Sequence, residues 1–270
     1  TKEIILDDES PFAAAKKGKN SSMWKAIESQ KENKSDISLS AGNTGALLVI
    51  SRLILKTIPG INKPALAGLW PSKKNMSVVL DLGANIECNE KNLVDFACMG
   101  SALFKSLFDS TSPRISLLNV GLEETKGNEV LKKTFNILKD TDSKNFGFAG
   151  YIEGNHLMDG DVDVIVTDGF TGNIALKTAE GTANFITKNL KKSLNIFSVL
   201  LSYYSLMKFK KKLDPRRYNG AIFLGLQSPV VKSHGSTDAI GFSHSINVCN
   251  KIVKANLINK IQDNLITVDA

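Results

Sequence analysis

Cysteine and histidine are both scarce in this chain of 270 residues, with three of each. Cys88, Cys98 and Cys249 lie far apart and form no CxxC pair, which argues against a disulfide framework and against a thiolate metal site. No two histidines and no cluster of acids have ligand spacing, so neither a metal nor a cofactor is expected. Complete signatures are missing too. No GK[ST] follows a glycine loop, no full GxGxxG occurs, and Ser236 lacks the GxSxG elbow of a persuasive nucleophile. There is no repeat period, and no linker divides the chain. The opening TKEIILDDES is acidic rather than basic and apolar, so it does not read as a signal peptide. It also lacks Met and looks like the middle of a fold. Residues 1–270 are therefore read as one N-terminally truncated domain in a reducing cytoplasm.

A net charge of +7 is what the acids leave unbalanced, and it is local. Between Lys188 and Arg217 stand Lys191, Lys192, Lys208, Lys210, Lys211, Lys212 and Arg216 against the single acid Asp214, and the rest of the chain is close to neutral. Such a cluster suits nucleic acid, acidic protein or anionic lipid, and charge alone does not choose. Inside it, LNIFSVLLSYYSLM (Leu194 to Met207) is apolar but too short to span a bilayer, which takes roughly 20 residues. Two readings stand: a core or dimer-interface helix, or a protruding tip at about 188–217 whose Phe197, Leu200, Leu201 and Tyr204 enter a membrane surface. The lysines that follow favour the tip.

Elsewhere short β-branched runs alternate with helical periodicity. Ile37 to Ser40, Val78 to Leu82, Ile115 to Val120 and Val162 to Thr167 read as buried strands. Glu90 to Phe108, Asn128 to Leu138, Asn173 to Leu190 and Thr237 to Ile266 read as helices. Strand, loop and helix in repetition predict an α/β fold with a mostly parallel sheet and a site at the carboxyl ends of its strands.

Three junctions draw attention: SAGNTGA (Ser40 to Ala46), DLGAN (Asp81 to Asn85) and DGFTGN (Asp168 to Asn173). Each places glycine and short polar side chains where a strand gives way to a helix. Glycine permits close backbone approach, and the first helical N–H groups and the helix dipole favour an anion. Singly, each is also what a plain turn and cap looks like, with Asn43 or Thr44 capping. Together they suggest one phosphate-handling cleft. LLNVGLEETKGNE (Leu117 to Glu129) crowds polar groups into another loop. There Lys126 can hold phosphate or an oxyanion, although an exposed lysine is the commoner case. His234, in PVVKSHGST, can serve as acid, base or donor. His156 and His244 read as structural.

In the order SAGNTGALL, IPGINKPALAGLWPSKK, DLGAN, FACMGS, LLNVGLEETKGNE, EGNHLMDGDVDVIVTDGFTGNIALKTAEG and LDPRRYNGAIFLGLQSPVVKSHGSTDA, the chain resembles the bacterial phosphate acyltransferases that make acyl phosphate from acyl-acyl carrier protein. The resemblance runs from about Asp7 to the C-terminal helix. It implies a three-layer α/β/α Rossmann-like sandwich of the isocitrate and isopropylmalate dehydrogenase type, a homodimer and no nucleic-acid partner. It also implies attack of inorganic phosphate on an acyl-carrier thioester in phospholipid synthesis, at the inner face of the membrane. A membrane glycerol-3-phosphate acyltransferase is a further implied partner. On that basis Asn43, Thr44, Asn85, Asp168 and Thr171 are expected at phosphate or substrate. Lys126 and Asn173 are expected at the thioester carbonyl or phosphate, and His234 as acid or donor. Lys73, Lys74, Arg216 and Arg217 are expected to meet the acidic carrier. The competing readings are a phosphotransacetylase for short acyl-CoA, a nicotinamide-dependent dehydrogenase of related fold, and a membrane-associated scaffold without turnover.

Overall fold

A computed structural model describes residues 1–108, 110–194, 202–212 and 214–266. Eight strands form one sheet: β1 (Ser38–Ser40), β2 (Ala65–Pro71), β3 (Met76–Leu80), β4 (Arg114–Asn119), β5 (Gly147–Glu153), β6 (Val164–Val166), β7 (Ala221–Leu224) and β8 (Val230–Lys232). Their order is β1-β8-β7-β2-β3-β6-β4-β5. The strands β3, β6, β4 and β5 are parallel, as the alternating pattern predicts. On the other side β1 and β8 pair parallel to each other, while β8 with β7, β7 with β2 and β2 with β3 are antiparallel. The sheet is thus two half-sheets joined along β2. Residues Ala65 to Ala67 of β2 pair with β7, and Gly68 to Pro71 pair with β3.

The alternation of side chains separates the two faces. Val78, Leu80, Val164 and Val166 point into one cluster, covered by α4 (Glu90–Leu107), α5 (Glu129–Asp140), α8 (Ala239–Lys254) and α9 (Leu257–Asn264). Val79, Ile165 and Phe223 point into the other, covered by α1 (Pro11–Lys17), α2 (Ser22–Lys31), α3 (Thr44–Leu55) and the start of α6 (Gly169–Ser193). This is the expected α/β/α sandwich. Helix α4 is buried along most of its length because it lies against β3 and β6, where Leu80 and Val164 press on Gly100. An Asn89–Asn92 capping box starts it.

The expected helix from Thr237 to Ile266 is two helices. Apolar periodicity runs through the break, but Asn256 adopts the left-handed conformation (φ 53°) and ends α8 before α9 begins. Helix α7 (Tyr203–Lys212) takes in the end of the apolar stretch, and Tyr204 on it is exposed. The other tip residues, Phe197, Leu200 and Leu201, lie outside the described residues.

Candidate functional site

The glycine junctions fall into two groups, because β1 and β8 run opposite to β3, β6 and β4. DLGAN follows β3, DGFTGN follows β6 and the Lys126 loop follows β4, so these three leave the sheet at one end of the parallel half. SAGNTGA follows β1 and KSHGST follows β8, and both leave the other half-sheet in the opposite sense. All these strands stop near a common level. Ser40 pairs with Lys232 and Lys232 with Ala221, while across β2 Gly68 pairs with Val79 and Val79 with Ile165.

Asp81 organises the first group. Its fully buried carboxylate accepts hydrogen bonds from the N–H groups of Leu66 (3.0 Å), Gly83 (3.2 Å), Ala84 (3.0 Å) and Asn85 (2.7 Å), and from the Asn85 amide (2.8 Å). Burial pushes its pKa up, and the surrounding donors oppose that shift. The same Asn85 amide also donates to the Pro64 carbonyl at 2.7 Å. Against this loop packs the entrance of α6. The Gly169 N–H donates to the Asn85 carbonyl at 2.7 Å, and a Cβ on Gly172 would fall 1.9 Å from the Asp81 carbonyl oxygen. Asp168 caps α6, accepting from the Thr171 N–H (2.8 Å) and hydroxyl (2.9 Å).

Two side chains stand clear of this frame. The Asn173 amide lies over Gly83, where a Cβ would come within 2.7 Å of its nitrogen. Lys126 rests its stem on Gly121, at 3.0 Å from a Cβ there, in a loop closed by the Asn119 amide donating to the Lys126 carbonyl at 3.2 Å. Among the described residues, neither the Lys126 ammonium nor the Asn173 amide makes a hydrogen bond, and both side chains are exposed.

In the second group the Asn43 carboxamide is spent on the fold. Its oxygen caps α3 by accepting from Ala46 at 2.9 Å, and its nitrogen donates to the carbonyls of Leu6, Asp7 and Glu9. Thr44, one residue on, is exposed. His234 is fixed by its neighbours: its N–H donates to the Asn219 side chain at 2.8 Å, and its Nδ1 accepts from the Ser236 N–H at 3.2 Å. A backbone N–H only donates, so the neutral ring carries its proton on Nε2.

Reading the sequence alone misses three residues that hold these groups. Asp81 was visible only as part of DLGAN. Buried Asn219 donates to Ser233, Thr237 and the Gly241 carbonyl, tying the KSHGST turn to α8. Lys232 donates to the carbonyls of Ala41 and Ser233, and burial lowers its pKa. An Asp closing an apolar strand is a legible signal. The partners of Asn219 and Lys232 are not legible, since they are set by strand pairing.

Three of the four cations expected at the carrier already have carboxylate partners. Lys73 meets Asp159 at 2.6 Å, Lys74 meets Asp161, and Arg216 meets both Asp214 (2.6 Å) and Asp238 (2.9 Å). Arg217 is exposed and has no ion pair among the described residues. The described residues include no group of histidines, cysteines and acids able to hold a metal, and no helix long and apolar enough to cross a membrane.

A phosphotransacylase-type α/β fold is the class these features define. The EutD phosphotransacetylase from Staphylococcus aureus superposes with a TM-score of 0.58 at 15% identity, over 90% of this chain and 73% of that one. A branched-chain phosphotransacylase from Enterococcus faecalis gives 0.56 at 16%, over 86% and 78%. At such identities the likeness speaks for the fold alone. Sequence relatives go further. The family model described as fatty acid synthesis protein matches residues 1–260. A phosphate acyltransferase of Pelagibacter ubique is 63% identical over 98% of this chain and 81% of that protein. One from Paramagnetospirillum magneticum is 45% identical over 94% and 73%. The chain belongs to the phosphate acyltransferase family, and it is an acyltransferase of phospholipid synthesis.

Proposed function

We propose that the chain transfers the acyl group of acyl-acyl carrier protein to inorganic phosphate, giving acyl phosphate and free carrier. A phosphate oxygen attacks the thioester carbonyl carbon, the tetrahedral oxyanion collapses, the C–S bond breaks and the carrier thiolate leaves to take a proton. A thioester is already activated, so positioning and oxyanion stabilisation suffice without a covalent intermediate.

One observation carries the assignment of roles: which of the donors are unspent. Asn43, Asn85, Asp168 and Thr171 use their side chains as caps and struts, so their contribution is to shape the cradle. Lys126 and Asn173 keep donors to offer, and they take the developing oxyanion and the phosphate charge. Thr44 and His234, on the loops that leave the other half-sheet in the opposite sense, are assigned secondary contacts to the substrate. The test is formation of hydroxylamine-trappable acyl phosphate from acyl-acyl carrier protein and phosphate, run beside short acyl-CoA. Wild-type protein is expected to prefer the carrier donor. Equal or better use of short acyl-CoA overturns the reading in favour of a phosphotransacetylase, and no turnover of either donor favours a scaffold.

The carrier meets the basic surface at Arg217, with Arg216, Lys73 and Lys74 exchanging their present partners for its acids. The protein works as a cytoplasmic homodimer that touches the inner face of the membrane through the segment around Tyr204, beside a glycerol-3-phosphate acyltransferase. Exposed Phe185, Tyr203 and Tyr204 flanked by lysines support that reading. Changing Tyr203 and Tyr204 to Asp is expected to reduce flotation with anionic liposomes. Unchanged flotation sinks the tip.

A further inference from the structure

Large apolar side chains are exposed beside both unspent donors. Val120 (81% exposed) and Leu122 (56%) bracket Gly121, the residue on which the Lys126 stem rests. Phe170 (58%) and Ile174 (52%) lie one turn apart on α6, on the same face as Asn173. Ile86 (70%) follows Asn85, whose carbonyl accepts from the N–H of Gly169, the residue before Phe170. The three segments follow β4, β6 and β3, which are neighbours in the sheet. A fold that buries Val78 to Leu80 completely leaves these five in water at one end of the same strands. Scattered single apolar residues are ordinary on a surface. Five of them on three neighbouring loops that also carry the unspent donors are more than that scatter.

We propose that Ile86, Val120, Leu122, Phe170 and Ile174 form the rail on which the acyl chain of the thioester lies, and that they set chain-length preference. The inference rests on the acyl-transfer reading above. Complementarity selects the occupant. A ligand here must present a polar, acceptor-rich end to Lys126 and Asn173 and an apolar tail to the side chains beside them, which is the make-up of a long-chain thioester. A second copy of this chain seated on the same residues would cover Asn173 and Thr171 and shut the site.

The test compares binding of non-cleavable amide analogues of the thioester carrying a long and a short acyl chain, followed by calorimetry, in wild-type protein and in the Phe170→Ser, Ile174→Ser double variant. Turnover of the matching thioesters is read in parallel. All five positions are on the surface, so the variants are expected to fold, and thermal melting checks that they do. Loss of covered methylene groups is expected to weaken the long-chain analogue by about tenfold or more, with the short-chain analogue within about twofold. Val120→Ser is expected to act in the same direction, more weakly. Equal weakening of both analogues, no weakening of either, or a change confined to oligomeric state in sedimentation overturns the rail. If wild type binds the long-chain analogue by these residues yet forms no acyl phosphate, the rail stands and the catalytic reading falls.

Discussion

The junctions after β3 and β6 and those after β1 and β8 are built from the same glycines, asparagines and hydroxyls, yet they use them differently. In the parallel half, glycine does the packing. Gly169 and Gly172 bring α6 against the DLGAN backbone, and the buried Asp81 carboxylate gathers the loop's N–H groups. Backbone thus holds backbone, and the side chains of Lys126 and Asn173 remain available. In the other half, side chains do the holding. Asn43, Asn219 and Lys232 each tie several carbonyls or hydroxyls, so that of the expected site residues on these two loops Thr44 and one edge of His234 are left. A glycine-rich loop is therefore a weak guide to where chemistry happens. The number of donors left over is a better one.

That contrast is most directly broken at the donors themselves. Lys126→Ala and Asn173→Ala are each expected to lower kcat by about 100- to 1,000-fold with the melting temperature little changed, the cost of one lost oxyanion donor. Near-wild-type trapping of acyl phosphate in either variant would move the chemistry elsewhere. The glycine side of the comparison is sharpened by Gly172→Ala, whose Cβ collides with backbone rather than with a flexible side chain. It is expected to cost about 3 kcal/mol in urea denaturation, and a loss under about 1 kcal/mol would mean the two loops are not locked together.

Asn219→Ala probes the side-chain-held half. Leaving Ser233, Thr237 and the Gly241 carbonyl without their donor is expected to cost about 2 kcal/mol. Amide exchange should quicken in residues 233–241 and stay unchanged in 81–85; equal quickening in both would erase the distinction. The smallest effect concerns acid. Arg216 holds the carboxyl of Asp214 below the ordinary carboxylate range, so this pair stabilises the fold above the unfolded pKa of about 4 and loses that contribution as pH falls through the lower, folded value. Asp214→Asn should flatten the melting temperature between about pH 5 and pH 2. A slope identical to wild type would show that the pair contributes nothing.

Much of the parallel half is legible in the chain. Short Val/Ile runs closed by Asp or Asn predict β3, β4 and β6 within a few residues, and the stripe from Leu93 to Leu107 predicts α4. The segments β2, β5 and β7 escape because their signal is not local. ALAGLWP holds a glycine and a proline, and it becomes a strand by pairing antiparallel on both sides, with neighbouring β3 across a short turn and with β7 far along the chain. The site splits in the same way. Lys126 and Asn173 stand out by residue type, whereas the commitment of Asn43 to three carbonyls near the N-terminus depends on a chain crossing that no spacing reveals. The Arg216 pairings are similarly half-visible: Asp214 is adjacent, and Asp238 is reached only through the fold.

The joining of the half-sheets has a consequence for synthesis on the ribosome. Among the described residues β1 pairs with β8, which is made about 190 residues later, so this pairing forms only when nearly the whole described chain has emerged. The strands β3 to β6 meet no such delay, since all of their partners in the sheet emerge before α6, whereas Ala65 to Ala67 of β2 wait for β7. Vectorial folding would thus assemble the Lys126 and Asn173 end first, while the helices around Thr44 stay exposed until β7 and β8 arrive. Ribosome-stalled chains ending before β7 should therefore protect residues 76–166 from protease and leave 38–55 open to it.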